Sequence, residues 1–346
     1  MRGCPQDPVF HAEGDVWIHT RMVCEAMAAL PAWRAIDANQ RTALFAAALM
    51  HDIGKPATTR EEDGRITSRG HSAKGASMVR NLLWEQGCPF ELREALVNLI
   101  RFHQVPFWLA EKEHPDHEVM RISQGTRCDW LAILAEADMR GRVCLEDSQR
   151  ALDNIALFAE FAADAGCFRE PMTFVDPYTR YRFFKGKWFQ NDVSAYRDFS
   201  GNAFLMSGLP GSGKDLWVHR RLSGLPMVSL DDMRRKMGVK PSDNQGRVIQ
   251  AAKERARVFL RKGLSFVWNG TNLTAKLRQP LIEWFEDYRF HVTLVYVESL
   301  YEHQATQNKN RDHVVPDRVI GRMREQWSVP DPFEAHDVIF EVSGGA

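Results

Sequence analysis

Residues 208–215 read GLPGSGKD. Gly208, Gly211 and Gly213, with Ser212 between the last two, let backbone N–H groups wrap the oxygens of a phosphate, and Lys214 adds a positive charge. The residue after such a lysine is expected to be Ser or Thr, whose hydroxyl binds the magnesium of a nucleotide; here it is Asp215. Mg²⁺ accepts a carboxylate oxygen as readily as a hydroxyl, often through water. An acid in the first helical turn is also favoured by the helix dipole, although it repels a phosphate unless the cation lies between them. The loop is therefore expected to bind nucleotide and to depend strongly on magnesium.

Further residues that could move a phosphoryl group follow downstream. In PMVSLDDMRRKMG, Asp231 and Arg234 lie one helical turn apart after a strand. At the carboxyl end of a parallel strand they share a crevice with the loop, where the acid can take a proton from an attacking hydroxyl and the arginine can clamp a phosphate. The plainer alternative for Asp231 is a helix cap, and Asp232 is assigned only to the first helical turn. FVWNGTNLTAKLRQ repeats the pattern, with Thr271 and Asn272 at a strand-to-helix turn and Arg278 beyond, as acceptor-binding candidates or simple caps. The polar, basic stretch QATQNKNRDHVVPDR has the character of a closing loop, and Arg311 is its candidate for the transferring group. Lys309 and Arg318 are read as solvated.

The first half carries a different chemistry. RTALFAAALMHDIGKP is an apolar helix that ends in His51 and Asp52, with Gly54 and Pro56 stopping it. EALVNLIRFH runs apolar into His103, and WLAILAEAD into Asp138. His19 shares a helical face with Val16, Val23, Met27 and Leu30. Each such group taken singly is an ordinary core polar residue with a backbone partner. Together, His19, His51, Asp52 and Asp138 form an imidazole–carboxylate set suited to a divalent transition metal. His71 in RGHSAKGA and His103 extend the set to six donors, enough for two metals bridged by Asp52. Lys55 follows by one turn and could hold a phosphoryl oxygen. His11, His114, His117 and Glu136 fit no such pattern and are read as ordinary polar residues.

These candidates must be positioned by two kinds of scaffold. Up to about residue 165 the apolar spacing is helical, with little strand character. From residue 203 onward, the runs NAFLMSG, PMVSL, SFVWNG, HVTLVYVE and HDVIFEV alternate with helical segments at 245–262 and 276–288, which predicts a parallel sheet covered on both faces. The expected domains are thus 1–165, an all-α helical bundle, and 201–346, an α/β domain. Residues 166–200, aromatic and basic, are expected to form a packed connector. Their aromatics could alternatively stack single-stranded ends.

The 346 residues carry 45 basic and 45 acidic side chains, so any nucleic-acid contact has to come from a local groove. The six cysteines are scattered without a C-x-x-C pair, as suits reduced thiols in a cytoplasmic protein. No signal peptide and no bilayer-spanning apolar run is seen. The start, MRGCPQDPVFHAEGD, reaches patterned sequence almost at once, which leaves room for a short missing N-terminal segment.

In GDVWIHT, HDIGKP and AEAD, the order His, His-Asp, distant Asp resembles the HD phosphohydrolase superfamily over most of residues 10–140. That resemblance implies metal-assisted hydrolysis of phosphate esters. Residues 203–342 resemble the phage-type 5′-OH polynucleotide kinases. By position this implies Asp231 as general base, Arg234 on the acceptor's phosphate and Arg311 on ATP. Two departures stand out: Gln307 where a second lid arginine can occur, and Gly270 where an acid sometimes precedes TN. The whole order is similar to the bacterial HD-domain polynucleotide kinases, in which a terminal Asp in the loop is usual. That resemblance implies a P-loop kinase using ATP with Mg²⁺ and a phosphoesterase using one or two divalent transition metals. Together they would correct RNA or DNA ends ahead of a nucleic-acid ligase, with no membrane partner. Two other readings stay open: a nucleotide phosphohydrolase fused to a small-molecule kinase, and a non-catalytic ATP-gated binding protein.

Overall fold

In the computed structural model, residues 1–144, 148–239, 243–310 and 314–343 are described. The chain divides into two compact units, Met1–Met172 and Thr173–Ala346. No helix among the described residues is long and apolar enough to cross a membrane.

The first unit is helical: α1 (Val16–Ala29), α2 (Pro31–Ala35), α3 (Ala38–Met50), α4 (Lys55–Thr58), α5 (His71–Glu85), α6 (Phe90–Phe102), α7 (Val105–Trp108), α8 (Pro115–Ser123), α9 (Cys128–Arg140) and α10 (Gln149–Asp164). Side-chain caps start two of the helices that matter most. Asp15 accepts from the Ile18 amide ahead of α1, and Asp37 accepts from Asn39 and Gln40 ahead of α3. The apolar faces of α1, α3, α6 and α9 meet in one core around Val23, Met27, Leu44, Leu99, Leu131 and Leu134. His19, His51, His103 and Asp138 leave that core at helix faces or ends and are almost wholly buried. Gly54 makes one close approach possible: a Cβ there would lie 2.1 Å from the His71 carbonyl oxygen. Its absence lets the turn after His51 rest against the start of α5. One element was unforeseen. Residues β1 (Arg60–Glu62) and β2 (Arg65–Thr67) form an antiparallel hairpin closed by Asp63 and Gly64, both at positive φ. This is the Asp-Gly turn that a two-residue hairpin favours.

In the second unit, the described strands β3 (Gly201–Ser207), β4 (Met227–Ser229), β5 (Phe266–Asn269), β6 (Phe290–Glu298) and β7 (Asp337–Val342) are all parallel, in the order β4-β5-β3-β6-β7. They coincide with the five β-rich runs of the sequence. Central β3 and β6 are buried almost throughout, so they read as continuous apolar runs without alternation. The helices are α11 (Pro177–Phe184), α12 (Lys214–Arg221), α13 (Leu230–Met237), α14 (Gly246–Arg261), α15 (Ala275–Asp287), α16 (Tyr301–Lys309) and α17 (Asp317–Glu325). Strand order turns outward in both directions from β3, which opens a crevice at the carboxyl ends of the strands. The stretch expected as a connector divides: Cys167, Phe168 and Met172 pack in the core of the first unit, and the residues from Thr173 onward belong to the second. Asp176 caps α11, and the buried Tyr181 hydroxyl donates to Glu286 at 2.8 Å.

Arg278 corrects an expectation. It is not at the crevice as an acceptor-binding group: its side chain is wholly buried on α15, paired to Glu334 at 2.6 and 2.8 Å, and it also donates to the Asn272 and Ser328 carbonyls. The helical register that brought it near the Thr271–Asn272 turn points it inward. Removing one member of such a pair strands the other charge, at about 3–5 kcal/mol. Arg278→Ala is therefore expected to lower stability by that amount in urea unfolding, and adding Glu334→Ala should recover part of the loss.

Candidate active sites

The six donors expected of the first unit converge. Asp52 lies at their centre with its two oxygens facing different pairs of histidines. Its Oδ2 is 3.2 Å from His51 Nε2 and 3.7 Å from His19 Nε2; its Oδ1 is 3.3 Å from His71 Nε2 and 3.8 Å from His103 Nε2. Asp138 Oδ1 closes the first group at 3.1 Å from His19 Nε2. Donor atoms of His19, His51 and Asp52 lie within 4.8 Å of one another, as do those of Asp52, His71 and His103.

The tautomers follow from the backbone. Nδ1 of His51, His71 and His103 donates to the carbonyls of Ala48, Ser68 and Ile100 at 2.7, 2.8 and 2.7 Å. His19 Nδ1 lies 2.9 Å from Glu13 Oε1 and 3.2 Å from the Gly141 carbonyl. Each Nδ1 thus carries a proton and each ring turns its Nε2 inward, where the ligating form of the imidazole presents a lone pair. Lone pairs then face lone pairs: His51 and His19 Nε2 are 3.3 Å apart, His71 and His103 Nε2 3.4 Å. Asp52 Oδ1 is buried without a hydrogen-bond donor, and Oδ2 meets the Lys55 ammonium alone. Unrelieved, that arrangement is repulsive, and a divalent cation between the donors resolves it, so the residues fit a metal centre.

Burial and neighbouring charges pull these groups in different directions. Burial would raise the Asp52 pKa, but the His51 and Lys55 charges outweigh it and hold the carboxyl well below its usual range. Asp138 is likewise held low against burial, by Arg142 and then His19. Burial pulls His103 down to about 3, with the His51 charge next, and burial also lowers His71. For His19 burial is again the largest influence, yet hydrogen bonds to Asp138 and Glu13 overcome it and the pKa rises.

Lys55 has its Nζ 2.6 Å from both Asp52 Oδ2 and Gln6 Oε1. Three residues emerge only from the structure. Arg142 grips Asp138 in a fork of 3.0 and 2.6 Å. Glu13 accepts from both His19 and His11, and His11, set aside as an ordinary polar residue, lines the cavity beside the cluster. Asp52→Asn, which keeps the side chain's shape, is expected to lower bound divalent metal at least tenfold by elemental analysis after dialysis, with helical content unchanged by circular dichroism.

In the second unit the glycine loop joins β3 to α12. Gly208, Gly211 and Gly213 have φ of 149°, 80° and 93°, and the Gly208 amide donates to the Thr271 carbonyl at 3.0 Å. A Cβ on Gly211 would meet the Gln304 carbonyl of α16 at 2.7 Å, so the glycine also admits α16. Lys214 Nζ donates to the carbonyls of Gly208 and Leu209 at 2.8 Å, while Ser212 Oγ lies 3.4 Å away. Asp215 Oδ1 accepts from Asn269 Nδ2 at 2.6 Å, at the carboxyl end of β5.

Asp231 is in the first turn of α13 after β4, 60% exposed at its side chain and paired with Arg234, which also donates to Gln245. The cap of that helix is Ser229, so Asp231 has no capping duty. Asn272 corrects a second expectation. It is buried at φ 40°, and its amide donates to the Met206 carbonyl at 2.7 Å, so it ties the β5 turn to β3 and lies within the scaffold. Thr271 is half-buried beside it, and Thr274 is the cap of α15. Arg311 lies outside the described residues. Asp215→Ala is expected to weaken nucleotide binding in calorimetry only when Mg²⁺ is present, with Asp215→Ser recovering part of the affinity.

Residues 16–132 match the family model for the HD domain, and residues 204–330 that for an AAA domain. Among curated proteins, the chain is similar to the Multifunctional CCA protein of Xanthomonas euvesicatoria pv. vesicatoria, 31% identical over 43% of this chain and 35% of that protein. It is similar also to the Multifunctional CCA protein of Cupriavidus necator, 33% identical over 47% of this chain and 39% of that one. The chain thus spans well under half the length of these curated relatives. Among solved structures, a gluconokinase from Sinorhizobium meliloti 1021 is 17% identical, covering 43% of this chain and 85% of that one, with a TM-score of 0.30. The class is then plain: a helical HD domain bundle precedes an α/β P-loop domain with a parallel sheet. An HD domain implies divalent metal and a P-loop domain implies ATP with Mg²⁺.

Proposed function

We propose that this chain is a bifunctional healer of nucleic-acid ends. Its second unit would phosphorylate 5′-OH ends of RNA or DNA with ATP, and its first would remove 2′,3′-cyclic, 2′- or 3′-phosphates. The observation that supports this best is the presence, on one chain, of the Asp52-centred donor cluster and of a phosphate loop with an acid–arginine pair at a strand end of the same sheet. A ligase needs a 5′-phosphate and a free 3′-hydroxyl, so the two chemistries make one task.

In the first unit His19, His51, Asp52 and Asp138 would hold one transition-metal ion, and Asp52 with His71 and His103 a second. Bound metal would supply Lewis acidity and an activated water. The protein's own groups do the rest. Lys55, held by Gln6 and Asp52, offers its ammonium to a phosphoryl oxygen. Arg142 and Glu13 fix Asp138 and His19 from behind, so the donor atoms keep their aim.

In the second unit the loop amides and Lys214 would cradle the phosphates of ATP, and Asp215, aimed by Asn269, would approach its magnesium. Asp231 would accept the proton of the attacking 5′-hydroxyl while Arg234 turns to the acceptor's phosphate, and Arg311 would serve the transferring group. The assignment of residues 166–200 as connector, a nucleic-acid ligase as partner and a cytoplasmic setting belong to this same reading.

The test uses ATP, Mg²⁺, a transition metal and an oligonucleotide with 5′-OH and 2′,3′-cyclic phosphate ends, followed by mass spectrometry. His51→Ala is expected to abolish end dephosphorylation and spare 5′ phosphorylation; Lys214→Ala should do the reverse. Preference for a mononucleoside over the oligonucleotide would favour small-molecule substrates instead. Absence of γ-phosphate transfer to any acceptor would leave an ATP-gated binding protein.

A further inference from the structure

The cavity beside the metal-binding cluster has a volume of about 340 Å³ and two chemically distinct parts. Its inner lining includes the buried Lys55 and His71 and the half-buried Arg142, cationic or N–H-bearing groups that suit a phosphate. Its exposed lining includes Phe10 and Trp108, 46% and 55% accessible, together with Arg69. A volume near the lower limit for small-ligand sites admits one compact group. The part of a substrate that follows its phosphate must therefore leave past the aromatic rings.

Trp108 is held more firmly than its exposure suggests. It closes α7, which begins two residues after His103, so a single helical turn sets its position relative to the donors. The preceding residue, Phe107, is buried beneath the Arg142 guanidinium at 4.9 Å, and its carbonyl accepts from the buried Asn154 amide at 2.7 Å. An indole exposed in this way adds little to the core, yet it is presented on an anchored backbone at the mouth of a cationic cavity. Flat aromatic surface beyond a phosphate site matches a nucleobase, and stacking of this kind tolerates any base.

We infer that Trp108 is the stacking wall for the terminal base of the phosphoester processed at the cluster, which makes it a determinant of substrate class. The inference rests on the end-healing reading and adds to it a preference for a base-bearing terminal nucleotide over other phosphate esters, with little discrimination among bases.

The test compares two 3′-phosphorylated oligonucleotides that differ only in having a terminal base or a terminal abasic ribose. The unaltered protein, supplied with metal, is expected to favour the base-bearing end roughly tenfold, through KM. Trp108→Ala should abolish that preference by raising KM for the base-bearing end alone, and Trp108→Phe should keep most of it. A second readout needs neither metal nor turnover. Nucleoside 3′-monophosphate should quench tryptophan fluorescence, and a distinct part of that quenching should vanish in Trp108→Phe, a change small enough to keep the fold. Equal effects of Trp108→Ala on both substrates, no effect on either, or identical quenching in Trp108→Phe would each overturn the inference. Failure of the unaltered protein to release phosphate from either end would instead overturn the end-healing reading, and the inference with it.

Discussion

One carboxylate organises the first unit. Asp52 is buried among four imidazoles whose outer nitrogens are all committed, three to backbone carbonyls and the fourth to a carboxylate and a carbonyl. Such a group has one ammonium, that of Lys55, for a charge partner in an apolar core, and the helix ends around it must converge for it to be tolerated at all. The turn that ends α3 supplies the carboxylate and His51, while α1, α5, the end of α6 and α9 each deliver a further donor. The packing of this unit and its capacity to bind metal are thus one constraint: the core is apolar up to the point where five helices reach the same charge.

The second unit solves a different problem. It gathers an anion onto backbone amides, and its side chains serve mainly to hold that backbone still. Gly208 hydrogen-bonds to the turn after β5, Asn272 and Ser207 brace the same turn, and Arg278 locks it from beneath. Polar residues near the crevice therefore divide into those that build it and those that remain at its surface. Asp231 belongs to the second kind, and its partner Arg234 is half-buried and held also by Gln245.

Much of this was legible in the sequence, because burying a histidine or aspartate at the end of an apolar run is costly and so carries information. The five strands were equally readable, since a parallel sheet covered on both faces leaves continuous apolar runs. What escaped was side-chain direction. Asn272 and Arg278 have the residue types of a binding site, and only the turn geometry and the register of α15 point them into the scaffold. Arg142 and Glu13 escaped for the converse reason: charged residues in loops are common, and nothing in spacing separates a solvated one from one that orients a buried ligand. The β1–β2 hairpin was lost among helices, although its Asp-Gly turn was a local signal.

That hairpin has an evolutionary consequence. Its stem ends at Ser68, whose carbonyl fixes the His71 tautomer and whose hydroxyl meets Thr59 at 2.8 Å, while its tip at Asp63 and Gly64 is exposed. Insertions at the tip can lengthen or reshape one rim of the cavity without disturbing a single donor atom. The rim of the cavity can therefore vary through a surface turn while the donor set underneath keeps its geometry.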